Sequence, residues 1–247
     1  QYRQDRHGSD HPAPGQDRVI QGSHTLRNER RDFVEWHQGR KPYVFWALDV
    51  DTVAVRQRVA AAARHLDGLL LQGYRRQAHI TLELCGFPGQ EPPAEDEFGP
   101  AYLTARMEAL RQAAPAPFDI EIGPLDSFDS APYLAVSEGS EAIAAIRRCL
   151  AQDGSLRLYG DYVPHVTVGL YADAWPAGEV NARLAAFAAG AAWRQRVERV
   201  SLMGYDPSAI GGPLHYLGDF ELGSGRWSET MRPAVSFHRR RLPRSPA

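Results

Sequence analysis

The chain has 247 residues, 43% of them hydrophobic, with a formal net charge of −2, nine histidines and two cysteines. That length and apolar content support one or two domains with a real core, and the near-neutral charge argues against a protein that coats nucleic acid over its whole surface, although a locally positive cleft is compatible with it. Cys85 and Cys149 are too few for a disulfide framework and lack metal-ligand spacing, no apolar run is long enough to span a membrane, and residues 1–35 lack the apolar core of a secretory signal, so the expected location is the cytoplasm.

Residues 1–35 are polar and without sustained periodicity, which predicts a flexible arm. Lys41 is the one lysine among 28 basic residues, Pro42 follows it, and no nucleotide-binding motif supports it. An ATP-dependent ligase that adenylates a lysine is thereby set aside. The first run of elements is an apolar strand over Tyr43–Val50 and a helix from Val53 to Leu70 with Val55, Val59, Ala62, Leu66 and Leu69 on one face. A strand containing His79 follows, then a proline-rich acidic loop through Pro100, a helix with Leu103, Met107 and Leu110 on its face, and an alternating strand over Phe118–Ile122. A second run repeats the order. It has a strand at Tyr133–Val136, a helix capped by Ser140 with Ile143, Ile146 and Leu150 inward and an Asp153-Gly154 stop, and a strand containing His165. A helix around Val180, Leu184, Phe187 and Ala191, a strand over Val197–Met203 and a last strand over Leu214–Leu222 complete it. Residues 226–247 read as a solvated basic tail carrying His238-Arg239-Arg240-Arg241.

The third element of each run carries one pattern: His79-Ile80-Thr81-Leu82 and His165-Val166-Thr167-Val168. Alternation along a strand puts each His and its Thr on one face and the apolar residues on the other. Repeats of this size point to two similar lobes related by an approximate two-fold, which sets one motif opposite the other. A reaction that needs a general base and a general acid together, such as hydrolysis of a phosphodiester, fits two such histidines across a cleft. Each motif offers one imidazole and one hydroxyl together.

Alternation also places Glu83 on the His79 face, as a solvated strand end or as a carboxylate that orients the imidazole. Joined with the two histidines it would make a three-ligand zinc set, but the ligands would come from opposite lobes and the threonines would have no role, so no metal is expected. Tyr74, Phe87, Tyr162 and Tyr171 lie near the motifs, with Tyr43 and Phe45 on the first strand, as base-stacking side chains or as packing. Arg75 and Arg76 precede the first motif, as positive charge at the cleft mouth or as turn residues.

The paired motifs, the second preceded by proline in Pro164-His165-Val166-Thr167-Val168, resemble the two-histidine (2H) phosphoesterase superfamily, which includes the 2'-5' RNA ligases and cyclic-nucleotide phosphodiesterases. The resemblance covers residues 43–222. It implies an α+β fold of two pseudo-symmetric lobes, each an antiparallel sheet with outer helices, flanking a central cleft that carries the His-x-Thr motifs, here within a bilobal domain over 36–225. It also implies that His79 and His165 are the acid and base and that Thr81 and Thr167 contact the phosphate. Tyr43, Phe45, Arg76, Tyr162 and Tyr171 join them as substrate-binding candidates. The expected activity is hydrolysis of 2',3'-cyclic phosphates, or of 2'-5' and cyclic phosphodiesters, without metal or cofactor, and with ATP-independent ligation as the reverse. The expected partner is an RNA end or small nucleotide, with no membrane and no obligate protein partner. The alternative is a nucleotide- or RNA-binding module that keeps the cleft without turnover.

Overall fold

In a computed structural model of the chain the described residues are 20, 22–89, 96–151, 162–188 and 190–229. In chain order the elements are α1 (Val34–His37), β1 (Tyr43–Asp49), α2 (Val53–His65), β2 (His79–Pro88), β3 (Glu97–Phe98), α3 (Pro100–Ala113), β4 (Phe118–Ser127), β5 (Pro132–Ser137), α4 (Ser140–Leu150), β6 (His165–Thr167), α5 (Ala177–Ala185), β7 (Trp193–Val197), β8 (Arg199–Tyr205), β9 (Leu214–Glu221) and β10 (Trp227–Glu229). They form two sheets, ordered β10-β9-β8-β1-β2-β3 and β6-β5-β4-β7. All pairings are antiparallel except the short one between β2 and β3. The two-lobe α+β architecture expected from the motifs is the one observed.

The lobes are not the two halves of the chain. β4, the last strand of the first run, pairs with β5 and β7 in the second sheet, while β8 and β9 from the end of the second run complete the first sheet beside β1. The strand expected over Val197–Met203 is in fact two: β7 serves the second sheet, Glu198 alone separates them, and β8 serves the first. β7 is an edge strand whose Arg194, Gln195 and Arg196 interrupt any apolar pattern, which is why periodicity sees only β8. Because each run lends strand to the other lobe, β4 one way and β8 and β9 the other, one continuous core cluster spans both sheets, from Trp46, Leu48, Ile80 and Leu82 to Ile120, Leu134, Ile146 and Val166.

Helix ends follow local chemistry. Thr52 caps α2 by accepting from the Val55 amide at 3.4 Å, and the helix stops at His65, short of Leu70, with Arg64 and His65 favourably placed at its negative end. At α4 the cap is Gly139 rather than Ser140: its φ is 67°, and a Cβ there would sit 2.8 Å from the Asp119 carbonyl. The Asp153-Gly154 stop and the His238–Arg241 run lie outside the described residues.

Both expected terminal boundaries shift. Ile20 is buried in the core, and residues 24–28 run along the second lobe, where the Thr25 amide donates to the Trp175 carbonyl and the Asn28 amide to the Tyr171 carbonyl. The flexible arm expected through residue 35 therefore does not extend over this stretch, whose backbone hydrogen bonds leave no trace in composition. At the other end, Trp227 begins β10 and its ring packs on the buried Trp46 at 5.9 Å, so the tail expected from 226 starts inside the first sheet. The ring lies so close over Gly218 that a Cβ there would overlap it. Gly218→Ala is expected to peel β10 back and cost about 1–3 kcal/mol, read as a lower urea midpoint with unchanged slope.

Candidate active site

β2 and β6 lie side by side where the two sheets meet, which brings the motifs together. His79 stands opposite Asp49 of β1 and Thr81 opposite Ala47, while His165 and Thr167 stand opposite Ala135 and Tyr133 of β5. One device holds both imidazoles. Nδ1 of His79 donates to the Gln77 carbonyl and Nδ1 of His165 to the Val163 carbonyl, each two residues back and each at 2.7 Å. Since a carbonyl only accepts, Nδ1 carries the proton of the neutral ring, and Nε2 is left as a base when neutral and a donor when charged. Neither Nε2 has a hydrogen-bond partner among the described residues.

Aromatic rings fix the orientation of each imidazole. Phe45 packs on His79 at 5.4 Å, and Phe128 and Tyr133 pack on His165 at 4.9 and 5.3 Å. Tyr133 is itself pinned by its hydroxyl, which donates to Asp126 at 3.0 Å. Burial pushes the His79 pKa down to about 4, with the positive charges of Arg76 and His165 acting in the same direction and the Gln77 bond and Asp49 opposing them. Burial lowers His165 as well, against the Val163 bond. His79 thus senses the charge of His165. An anionic phosphate between them would draw both pKa values up.

Thr81 and Thr167 are half-buried, and neither hydroxyl has a partner among the described residues. Glu83 does not share their face. In the β1 register Ala47 faces Thr81 but Trp46 faces Glu83, so β2 carries one extra residue, a bulge at Leu82. The bulge resets the alternation. Glu83 turns to the core side with Trp46, is 1% exposed, and acts electrostatically on Tyr102 and Arg147. Neither a solvated strand end nor a third ligand beside His79 is therefore available. No cluster of three or more His, Cys, Asp or Glu side chains suited to a metal ion occurs among the described residues.

The substrate-binding candidates separate into two groups. Arg76 sits beside the first motif with its guanidinium 4.1 Å over the Tyr205 ring; its buried Nε has no hydrogen-bond partner and no carboxylate pairs with it among the described residues. Tyr43 is half-buried at the end of the same sheet face, against Trp36, Phe87 and Tyr205. The other three are packing residues. Phe45 is 2% exposed and spent on His79, and Tyr171 is 0% exposed with its hydroxyl on Ser127, so neither offers a face to a base. Tyr162 has its ring under the Arg147 guanidinium at 3.5 Å and its hydroxyl on the Thr81 carbonyl at 2.9 Å.

Sequence reasoning passes over Arg147, Asp49, Phe128 and Tyr133. The signal for Arg147 is its place in the inward stripe of α4, with Ile143, Ile146 and Leu150, where a charged side chain needs a buried partner.

The profile of the 2'-5' RNA ligase superfamily matches residues 50–209, more than half of the chain and both motifs with it. The chain belongs to this superfamily. Among solved structures it is similar to TT0787 of Thermus thermophilus, at 14% identity and a TM-score of 0.50, over 73% of this chain and 98% of that one. It is also similar to E. coli LigT complexed with 3'-AMP, at 15% identity and a TM-score of 0.49, over 74% of this chain and 99% of that one. The likeness to TT0787 is one of fold. No curated protein matches the sequence. As a superfamily member the chain is a phosphoesterase- or ligase-like protein with the two-lobe fold. Among the described residues no helix is long and apolar enough to cross a membrane.

Proposed function

We propose that this superfamily member is a phosphoesterase that opens 2',3'-cyclic phosphates, or cleaves 2'-5' and cyclic phosphodiesters, at RNA ends or in small nucleotides. The observation that carries the reading is the pair of imidazoles on adjoining strands, each tethered through Nδ1 and each with an unpaired threonine hydroxyl on its own face. In ring opening, one neutral Nε2 takes a proton from the attacking water while the other, charged, protonates the leaving ribose oxygen. His79 is the more deeply buried and burial holds its ring neutral, which suits it to be the base, with the more accessible His165 as the acid. Thr81 and Thr167 donate to the non-bridging oxygens and hold the phosphorus in line. Arg76, a cation without a carboxylate partner among the described residues, supplies charge for the phosphate, and Tyr43 offers an aromatic edge to a base. The residues deliver both proton transfers themselves, so the proposed reaction runs without a metal or cofactor. With a ribose hydroxyl in place of water, the same steps break the ring P–O bond as the new P–O bond forms, and so join two ends without ATP.

The test is turnover of 2',3'-cyclic nucleotides and of cyclic-phosphate-ended RNA by the purified protein in EDTA. The kcat/KM profile, which reports the free enzyme, is expected to be a bell with its maximum below pH 6.5, because burial lowers both histidines. The kcat optimum is expected at higher pH, because bound phosphate raises both. A kcat/KM optimum above pH 7.5, or loss of turnover in EDTA, would contradict the scheme.

A further inference from the structure

We infer that Arg147 and Tyr162, side chains of the second lobe, are positioning residues that grip the backbone of the first motif and so set the separation of the two imidazoles. The inference rests on the paired-histidine reading. Among the described residues no strand is hydrogen-bonded to the β2 edge facing β6 along the motif, and β3 pairs with Phe87 and Pro88. In a regular strand, successive carbonyls point to opposite edges. The bulge at Leu82 breaks that rule, and the carbonyls of Thr81 and Leu82 are both reached from the second lobe. The Tyr162 hydroxyl donates to the Thr81 carbonyl at 2.9 Å, and Arg147 Nε donates to the Leu82 carbonyl at 2.9 Å.

The two donors form one unit. Arg147 is 7% exposed on α4, and its guanidinium lies 3.5 Å from the centre of the Tyr162 ring. Tyr162 directly precedes Val163, whose carbonyl holds Nδ1 of His165, so the segment 162–165 grips the first motif at one end and presents the second histidine at the other. A displacement of β2 relative to this segment changes the spacing of the two Nε2 atoms. Acid and base flanking one phosphorus tolerate little such displacement, since about 1 Å costs on the order of a hundredfold in rate.

Tyr162→Phe keeps the ring under Arg147 and deletes only the grip on Thr81. It is expected to lower kcat about tenfold with KM nearly unchanged. Arg147→Lys, which keeps the charge but cannot both donate and stack, is expected to lower kcat further, and the melting temperatures of both variants show whether they fold. A second readout does not depend on turnover. His79 senses His165, Arg76 and Asp49. In otherwise unaltered protein, His165→Gln is expected to raise the NMR titration midpoint of His79; in the Tyr162→Phe background the same change is expected to raise it less. Equal coupling in both backgrounds overturns the inference. If the unaltered protein turns over none of the esters, the catalytic reading fails, and the coupling comparison alone decides whether the grip exists.

Discussion

His79→Ala and His165→Ala are each expected to lower kcat by about a thousandfold or more, with the double variant little worse than either single one. A general acid or base in register contributes roughly 10² to 10⁴. In the proposed ring opening the two act in the same step, water attacking as the leaving oxygen departs, so removing either proton carrier would strand the other. Non-additivity of this kind marks residues that work as a unit. KM is expected to change much less, because the proposed phosphate contacts of Thr81, Thr167 and Arg76 are left in place. Steady-state kinetics on a 2',3'-cyclic nucleotide give all four values; losses that multiply in the double variant would mean that the histidines act in separate events.

The second large effect is on stability. The His79 pKa is about 4 in the folded chain against an ordinary 6.5, so between those pH values the unfolded chain binds a proton that the folded chain refuses. Stability contributed by the neutral ring is complete above pH 6.5 and is lost as the pH falls toward 4. On the order of 2–3 kcal/mol disappears between pH 7 and pH 4.5 for a shift of this size. His165 adds to the loss in the same direction. Urea unfolding at the two pH values is expected to show this drop, and His79→Gln to flatten it; an unchanged drop in the variant would place the acid sensitivity elsewhere. Inorganic phosphate at pH 4.5 is expected to restore part of it, by binding the charged histidines of the folded state.

Much of the site is local and therefore readable in the chain. His-x-Thr on a strand presents both groups on one face, and nothing non-local is needed to know it. The helix faces are equally local: Val55, Ala62 and Leu66 are buried as their spacing predicts, as are Ile143, Ile146 and Leu150. What periodicity does not carry is pairing between distant strands. The exchange of β4 and β8 between lobes depends on which edges find each other, and each strand has the same alternation in either sheet. The bulge at Leu82 is invisible for a related reason, since one inserted residue shifts the faces beyond it, and Glu83 passes from the site to the core. Tyr162 and Tyr171, unlike Tyr43 on the first strand, lie near the second motif in sequence. Their burial depends on Arg147 and Ser127, partners at distances along the chain that no local pattern records.

Two histidines carried by separate lobes that address one phosphate respond to its binding together. Nitrogen-15 NMR of the imidazoles during titration with 3'-AMP tests it most directly. Both Nε2 resonances are expected to move together, with one dissociation constant, while both Nδ1 resonances keep the signature of protonated, carbonyl-bound nitrogen. A shift of one histidine alone, or of neither at saturation, would contradict the account.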